Sequence, residues 1–325
     1  MNPENAHLPL VAVVGPTASG KSALGVWLAE QLGGEVVACD STQLYSGFDI
    51  GTAKHALAER HGVPHHLIDV LAPEEAATAG GYRQMALAAL ADLRGRARLP
   101  VFTVGTGLYL RALLEGLADL PQRSEELRER LRHSALEHGP GYLHRILSRL
   151  DGEAAQKISA GDEQKLIRAI EVCLLAKMPL TELHRSGRAP LQGWRVLKIG
   201  LAPGREALYA RIHARTDAMF ANGWLEEVRS LLDGGLPEDA KPFDFIGYRE
   251  LREVLRRRLT MDEARAAIQQ ATRRYAKRQL TWFRREHAVH WLAGFGDDPL
   301  LQQEALQWLR EHGVIQGRGA EARRV

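Results

Sequence analysis

The sequence predicts an α/β protein: a parallel sheet with helices on both faces, interrupted by an all-helical insertion. Three observations carry this. Short apolar runs alternate with helical patterns through residues 1–116, the pattern of parallel strands joined by crossover helices. Between residues 124 and about 183 no strand pattern occurs. Residues 195–201 (RVLKIGL) then alternate again and bring the chain back to the sheet. The expected organisation is a core built from residues 1–120 and 194–316, a helical insertion at 121–193, and a disordered tail at 317–325.

In chain order, residues 10–14 are an apolar run, read as the first strand. The turn Gly15-Pro16-Thr17-Ala18-Ser19-Gly20-Lys21-Ser22 follows and opens onto a helical segment at 21–32. Strand, GxxxxGK[ST] and helix together are the signature of a phosphate-binding loop, which makes the core P-loop NTPase-like. Residues 35–40 (EVVACD) are a second strand, and 67–70 a third. Residues 82–93 have helical spacing. Residues 100–104 read as a strand leading to Gly105-Thr106-Gly107 and a helix at 108–114. In parallel sheets ligands sit beyond the carboxyl ends of the strands, so the turns at 15–22, 40–45 and 105–107 should share one crevice. In the insertion, leucine and isoleucine recur at helical spacing, and each pattern is broken by Gly or Pro. Residues 186–193 are its exit. After Arg205 the chain is helical, with a capping box Thr260-Met261-Asp262-Glu263 starting a long helix through Trp282. Residues 290–292 are a last edge strand and 300–309 an amphipathic helix.

The 325 residues are 45% apolar and 26% charged, ordinary for a globular protein of about two domains. Cys39 and Cys173 lie in no CxxC or metal-ligand cluster, which argues against a disulfide framework or zinc site. The first nine residues do not have the make-up of a signal peptide, and no apolar run reaches the ~20 residues of a membrane span. A cytoplasmic protein without membrane association is expected, monomeric and with no obligate protein partner. A net charge of +3 permits a nucleic-acid partner without requiring one.

The chemistry starts at the glycine-rich turn. Backbone N–H groups of such a loop point inward, and the helix N-terminus adds partial positive charge. Lys21 supplies a full charge, and the Ser22 hydroxyl is a Mg²⁺ ligand or phosphate donor. Asp40 follows a strand directly, so its carboxylate projects into the same crevice. It reads as a general base, with a turn cap or a Mg²⁺-anchoring carboxylate as alternatives.

The blocks that follow, in order, are Asp40-Ser41-Thr42-Gln43-Leu44-Tyr45, Asp49-Ile50-Gly51-Thr52-Ala53-Lys54, Pro64-His65-His66-Leu67-Ile68-Asp69, Gly105-Thr106-Gly107-Leu108-Tyr109, Asp162-Glu163-Gln164-Lys165-Leu166-Ile167-Arg168, Ile246-Gly247-Tyr248-Arg249-Glu250 and Lys277-Arg278-Gln279-Leu280-Thr281-Trp282-Phe283-Arg284. Together they closely resemble the tRNA dimethylallyltransferases, also called tRNA isopentenyltransferases, over about residues 11–292. The resemblance implies transfer of a dimethylallyl group from dimethylallyl diphosphate to N6 of adenosine 37 in the tRNA anticodon loop. Diphosphate is released, and Mg²⁺ is the usual cofactor. Gly15, Pro16, Thr17, Ala18, Ser19, Gly20, Lys21 and Ser22 would then hold the diphosphate, with Ser22 on the metal. Asp40 would take the N6 proton. Ser41, Thr42 and Gln43 would meet the adenine edge, and Thr106 would orient Asp40 or the base, a turn-stabilising hydroxyl being its alternative. The resemblance also implies an arginine on the diphosphate from the helix after the returning strand. Arg215 is chosen, with Arg211 four residues before it in reserve and a solvated helix face as the alternative.

A stacked anticodon base must be flipped to react, so basic residues should line its approach. Candidates for tRNA contact are Arg128, Gln164, Lys165, Leu166, Ile167 and Arg168 in the insertion, then Gly247, Tyr248, Arg249, Lys277 and Arg278. Trp282 and Phe283 read as core, and Arg256-Arg257-Arg258 as a solvated face. Four positions depart from the family pattern: His55, Val104, Lys165 and Glu250. Lys165 keeps the charge of the usual arginine without its bidentate geometry. The rival reading is a small-molecule kinase using ATP. A non-catalytic RNA-binding protein is a third, against which intact Lys21, Ser22 and Asp40 speak.

Overall fold

The computed structural model describes residues 7–118, 120–185 and 189–314. The chain divides into two compact units, Met1–Ala112 with Gln192–Val325, and Leu113–Leu191.

The first unit is built on six parallel strands, β1 (Leu8–Val14), β2 (Gly34–Cys39), β3 (His65–His66), β4 (Leu99–Val104), β5 (Trp194–Leu201) and β6 (Val289–Leu292). Their order is β3-β2-β4-β1-β5-β6. β1 is central, buried from Val11 to Val14, as its unbroken apolar run requires of a strand covered on both faces. Helix α1 (Lys21–Leu32) packs Leu24, Leu28 and Leu32 against Val11, Val101 and Ile199. Gly25 of α1 lies so close to the sheet that a Cβ there would sit 2.4 Å from the Thr103 methyl. Helix α2 (Ala79–Gly95), capped by Thr78, carries the chain from β3 to β4. Helix α3 (Gly107–Glu115) leaves β4. The register pairs Val14 with Val104 and Gly200, and Cys39 with Val104. The carboxyl ends of β1, β2, β4 and β5 are therefore level, and the loops that follow them share one edge of the sheet.

The expected third strand at 67–70 is a correction. The paired residues are His65–His66, because Leu67 (φ 61°) and Asp69 (φ 57°) enter left-handed backbone that a strand cannot use. The segment still follows the sheet edge through a bridge between Tyr45 and Leu71.

The second unit holds helices α4 (Glu125–His138), α5 (Tyr142–Leu150), α6 (Gly152–Lys157), α7 (Glu163–Ala176) and α8 (Leu180–Arg185). Ser124, Asp151 and Asp162 cap α4, α6 and α7 by accepting backbone N–H bonds. Leu131, Leu143, Leu147, Ile170 and Cys173 close its core. The division between units falls inside α3, ahead of the boundary expected at residue 121. Of the expected exit loop, residues 186–188 lie outside the described residues, as does the tail at 317–325.

Back in the first unit come α9 (Arg205–Ala221), α10 (Trp224–Asp233), α11 (Tyr248–Leu255), α12 (Met261–Phe283) and α13 (Pro299–Glu311). The Thr260–Glu263 box caps α12 reciprocally, at 3.2 and 2.8 Å. α9 and α12 pack together through Leu208, Ile212 and Ala276. No helix among the described residues is long and apolar enough to cross a membrane.

Candidate active site

The phosphate loop turns at Gly15, where φ is 149° and a Cβ would come within 2.9 Å of the Leu201 carbonyl oxygen. Gly20, at φ 85°, backs onto Gly296, whose N–H donates to the Ser19 carbonyl at 2.9 Å. The segment after β6 thus braces the loop from behind, and Arg211 joins it through a bidentate ion pair with Asp297 (2.7 and 2.6 Å). Lys21 opens α1 and donates to the Pro16 carbonyl at 2.7 Å. Desolvation pulls its ammonium down to about 7, against the favourable charge of Asp40 and with the opposing charge of Arg215. Arg215 donates to the Thr17 hydroxyl at 3.3 Å, and burial likewise lowers its pKa. Of the two arginines, Arg215 reaches the loop directly and Arg211 holds Asp297.

Asp40 follows β2. Its Oδ1 accepts from the Thr42 N–H (2.9 Å) and hydroxyl (2.7 Å). Its Oδ2 lies against Gly105, where a Cβ would come within 1.9 Å. The aspartate-turn geometry and an available carboxylate oxygen therefore coexist. Thr106 does not orient Asp40. Its Oγ1 accepts from the Ser41 N–H at 2.9 Å and donates to the Ser41 hydroxyl at 3.2 Å, so it holds the turn, and Thr42 holds Asp40. Gln43 spends its amide N–H groups on the Thr52 and Ala53 carbonyls (3.2 and 3.3 Å).

These loops enclose a crevice of about 820 Å³ lined by Lys21, Ser22, Asp40, Lys54, Arg211 and Arg215. A second pocket of about 280 Å³ has apolar walls from Ile212, Met219, Trp224, Phe245, Ile246 and Ile268. Thr17, Ala18, Asp40, Thr52, Arg215 and Met219 line both, so the two spaces adjoin beside Asp40. Among the described residues no three His, Cys, Asp or Glu side chains converge as a metal cage. The donor set, one hydroxyl and one carboxylate in a phosphate crevice, fits Mg²⁺, which takes most of its ligands from phosphate and water.

A phosphate loop, a carboxylate across from it and an apolar pocket beyond raise the question of relatives. The family model for IPP transferase matches residues 43–286. A tRNA dimethylallyltransferase of Koribacter versatilis is 54% identical over 301 residues, spanning 93% of this chain and 98% of that protein. This chain belongs to the IPP transferase family. The tRNA dimethylallyltransferase of Solibacter usitatus is 50% identical over 299 residues, covering 92% of this chain and 97% of its own. The crystal structure of the full-length tRNA isopentenylpyrophosphate transferase from Bacillus halodurans matches with a TM-score of 0.69 at 36% identity, covering 93% of this chain and 96% of that one.

Several residues expected on tRNA are turned inward in this chain. Arg128 is buried, with Nε 3.0 Å from Oε1 of the fully buried Glu171. Leu166 and Ile167 belong to the core of the helical unit. Tyr248 is fully buried; its hydroxyl donates to Glu227 at 2.6 Å and accepts from the Gly51 N–H at 3.0 Å. Gly247 is a packing glycine, since a Cβ would overlap the Trp224 ring at 1.9 Å. Arg168 is half-buried and donates to Glu171 and to the Pro121 carbonyl. Gln164, Lys165, Arg249, Lys277 and Arg278 are exposed, with Lys165 paired to Asp162 and Arg249 to Glu250.

Two site residues escaped sequence reasoning. Gln279 bridges two loops of the crevice from α12. Glu227 accepts from the Asp49 and Ile50 N–H groups (3.0 and 2.8 Å) and so fixes the loop before Lys54. Gln279 carried a signal: it is a polar residue in the stripe Ile268, Thr272, Ala276, Gln279, Phe283, which has the spacing of a buried helix face.

Proposed function

We propose that the protein transfers a dimethylallyl group from dimethylallyl diphosphate to N6 of adenosine 37 in tRNA and releases diphosphate. The observation that carries this reading is Asp40 at the junction of a cationic phosphate crevice and an apolar pocket. The diphosphate rests on the loop at 15–22, flanked by Lys21 and Arg215. The allyl carbon lies at the junction, and the small pocket takes the apolar groups. N6 attacks that carbon, the C–O bond breaks, and its electron pair leaves with the diphosphate. The N6 proton passes to Asp40, whose Oδ1 is already held by Thr42, leaving Oδ2 as the accepting oxygen. An exocyclic amine is a weak nucleophile, and proton removal as the C–N bond forms lowers the barrier. Lys21 and Arg215 stabilise charge growing on the leaving group in a poorly hydrated site, where such contacts act most strongly. Mg²⁺, held by Ser22 and diphosphate oxygens, would neutralise further leaving-group charge. The exposed Lys165, Lys277 and Arg278 are the cations assigned to tRNA phosphates.

The test is mass analysis of tRNA nucleosides after incubation with dimethylallyl diphosphate and Mg²⁺. A dimethylallyl adenosine at position 37 is expected. ATP turnover without prenyl transfer would replace the reading with a kinase.

A further inference from the structure

Gln279 is a polar side chain of the site that this mechanism leaves unused, and its two ends join the two halves of the site. It projects from α12 and is 6% exposed. Its Oε1 accepts from the Thr17 N–H at 2.7 Å, and its Nε2 donates to the Gly105 carbonyl at 2.7 Å. Thr17 belongs to the leaving-group loop. Gly105 is the residue against which the Asp40 carboxylate rests. One rigid amide therefore spans from the diphosphate holder to the wall behind the base.

We infer that Gln279 is a positioning residue that sets the distance between the phosphate loop and Asp40. Four features support this. The Thr17 N–H points to Gln279 rather than into the anion site, so this loop donor serves geometry instead of binding. The Gly105 turn is held on its other side by the Gly105 and Thr106 N–H groups, which donate to the Cys39 carbonyl at 3.0 and 2.9 Å. Its own carbonyl has Gln279 at 2.7 Å and the more distant Tyr275 hydroxyl at 3.3 Å. Finally, the bridge needs an acceptor at one end and a donor at the other, at glutamine length. Glutamate offers two acceptors when ionised, asparagine is one methylene short, and methionine offers no donor. In-line displacement is sensitive to the separation of attacking and leaving atoms, and a displacement of about 1 Å costs on the order of 10²-fold in rate.

The inference rests on the transfer reaction proposed above, so the experiment has one arm that needs turnover and one that does not. For turnover, Gln279→Met and Gln279→Glu are compared with the parent in prenyl transfer to tRNA. Gln279→Met is expected to lose on the order of 10²-fold in kcat, with KM for dimethylallyl diphosphate within about threefold. Gln279→Glu is expected to recover activity as pH falls and the carboxyl gains the proton that lets it donate to Gly105. The melting temperature of each variant, measured alongside, separates lost positioning from lost folding. Unchanged kcat in both folded variants would overturn the inference, as would a rise in KM alone, which would make Gln279 a binding residue. Independently of turnover, the Thr17 amide should exchange with solvent slowly in the parent and at least tenfold faster in Gln279→Met. Equal exchange removes the bridge itself. A parent with a protected Thr17 amide but no prenyl transfer would instead sink the proposed reaction and leave the bridge standing.

Discussion

At the scale of single residues, the site works by giving each polar group a fixed partner. Thr42 occupies one oxygen of Asp40, and the proposed reaction gives the other the proton of the incoming amine. Asp40→Ala should therefore lower kcat by about 10²–10⁴-fold, the range of general-base contributions. tRNA affinity, measured by filter binding, should stay within a few-fold. Lys21 makes a second prediction. With its ammonium pulled down to about 7, it is charged below that pH in the empty site and mostly neutral above it. A bound diphosphate favours the charged form, so binding takes up a proton above pH 7. Affinity for dimethylallyl diphosphate should fall with rising pH there, approaching tenfold per pH unit, by linkage. Titration calorimetry across pH 6.5–9 (buffer values chosen for the test, spanning roughly the range set by linkage) checks it. Lys21→Met should bind weakly throughout and lose this dependence.

At the scale of elements, the helical unit is locked by a buried ion pair. Burial opposes the charge of Glu171, but bonds from Arg128, Arg168 and the Ser124 N–H outweigh it and hold its carboxyl below the usual range. This ties the start of α4 to the middle of α7. Arg128→Met leaves a buried carboxylate short of its main partner, a change that costs about 3–5 kcal/mol. Melting of the folded chain should show that loss, while the salt dependence of tRNA affinity should not move. The sign with pH follows from the depressed carboxyl. The stabilisation is present above the ordinary carboxylate pKa near 4.5 and is lost as pH falls through the lower value that Glu171 has in the fold. Acid unfolding of the parent should begin in that window. In Arg128→Met the same window should be shallower.

At the scale of the whole molecule, a net charge of +3 is too small to attract RNA by itself. What matters is which cations remain free after internal pairing. Lys277 and Arg278 are exposed on α12, next in sequence to Gln279, whose side chain turns inward. Replacing both by alanine should weaken tRNA binding and reduce the slope of log affinity against log salt by about 1.4–1.8, the share of two phosphate contacts. Binding isotherms at several salt concentrations measure it. A slope equal to that of the parent would take α12 off the RNA surface.

Much of the fold was legible because its signals are local. The phosphate loop needs glycines at 15 and 20 and a lysine at 21, and these stand next to one another in the chain. The parallel strands show as unbroken apolar runs, and the helix starts as capping residues. The candidate site was legible in part for the same reason: Asp40 directly follows a strand whose end faces the crevice. Arg128, Leu166, Ile167 and Tyr248 were misplaced because a motif places residues in a region and does not say which way a side chain turns. Arg128 faces a buried glutamate 43 positions away, and no local pattern records that choice. Gln279 was missed for a related reason, since its partners lie 262 and 174 residues away.

The α/β class, the phosphate-loop motif, the family reading and Asp40 as the candidate base were all readable from the chain, each carried by neighbouring residues whose spacing has its own physical meaning. Which cations stay exposed, which arginine reaches the loop and what holds the loop to Asp40 became visible in the folded chain alone. Those depend on burial and on partners brought together by strand order, and a buried donor takes whatever acceptor the packing supplies.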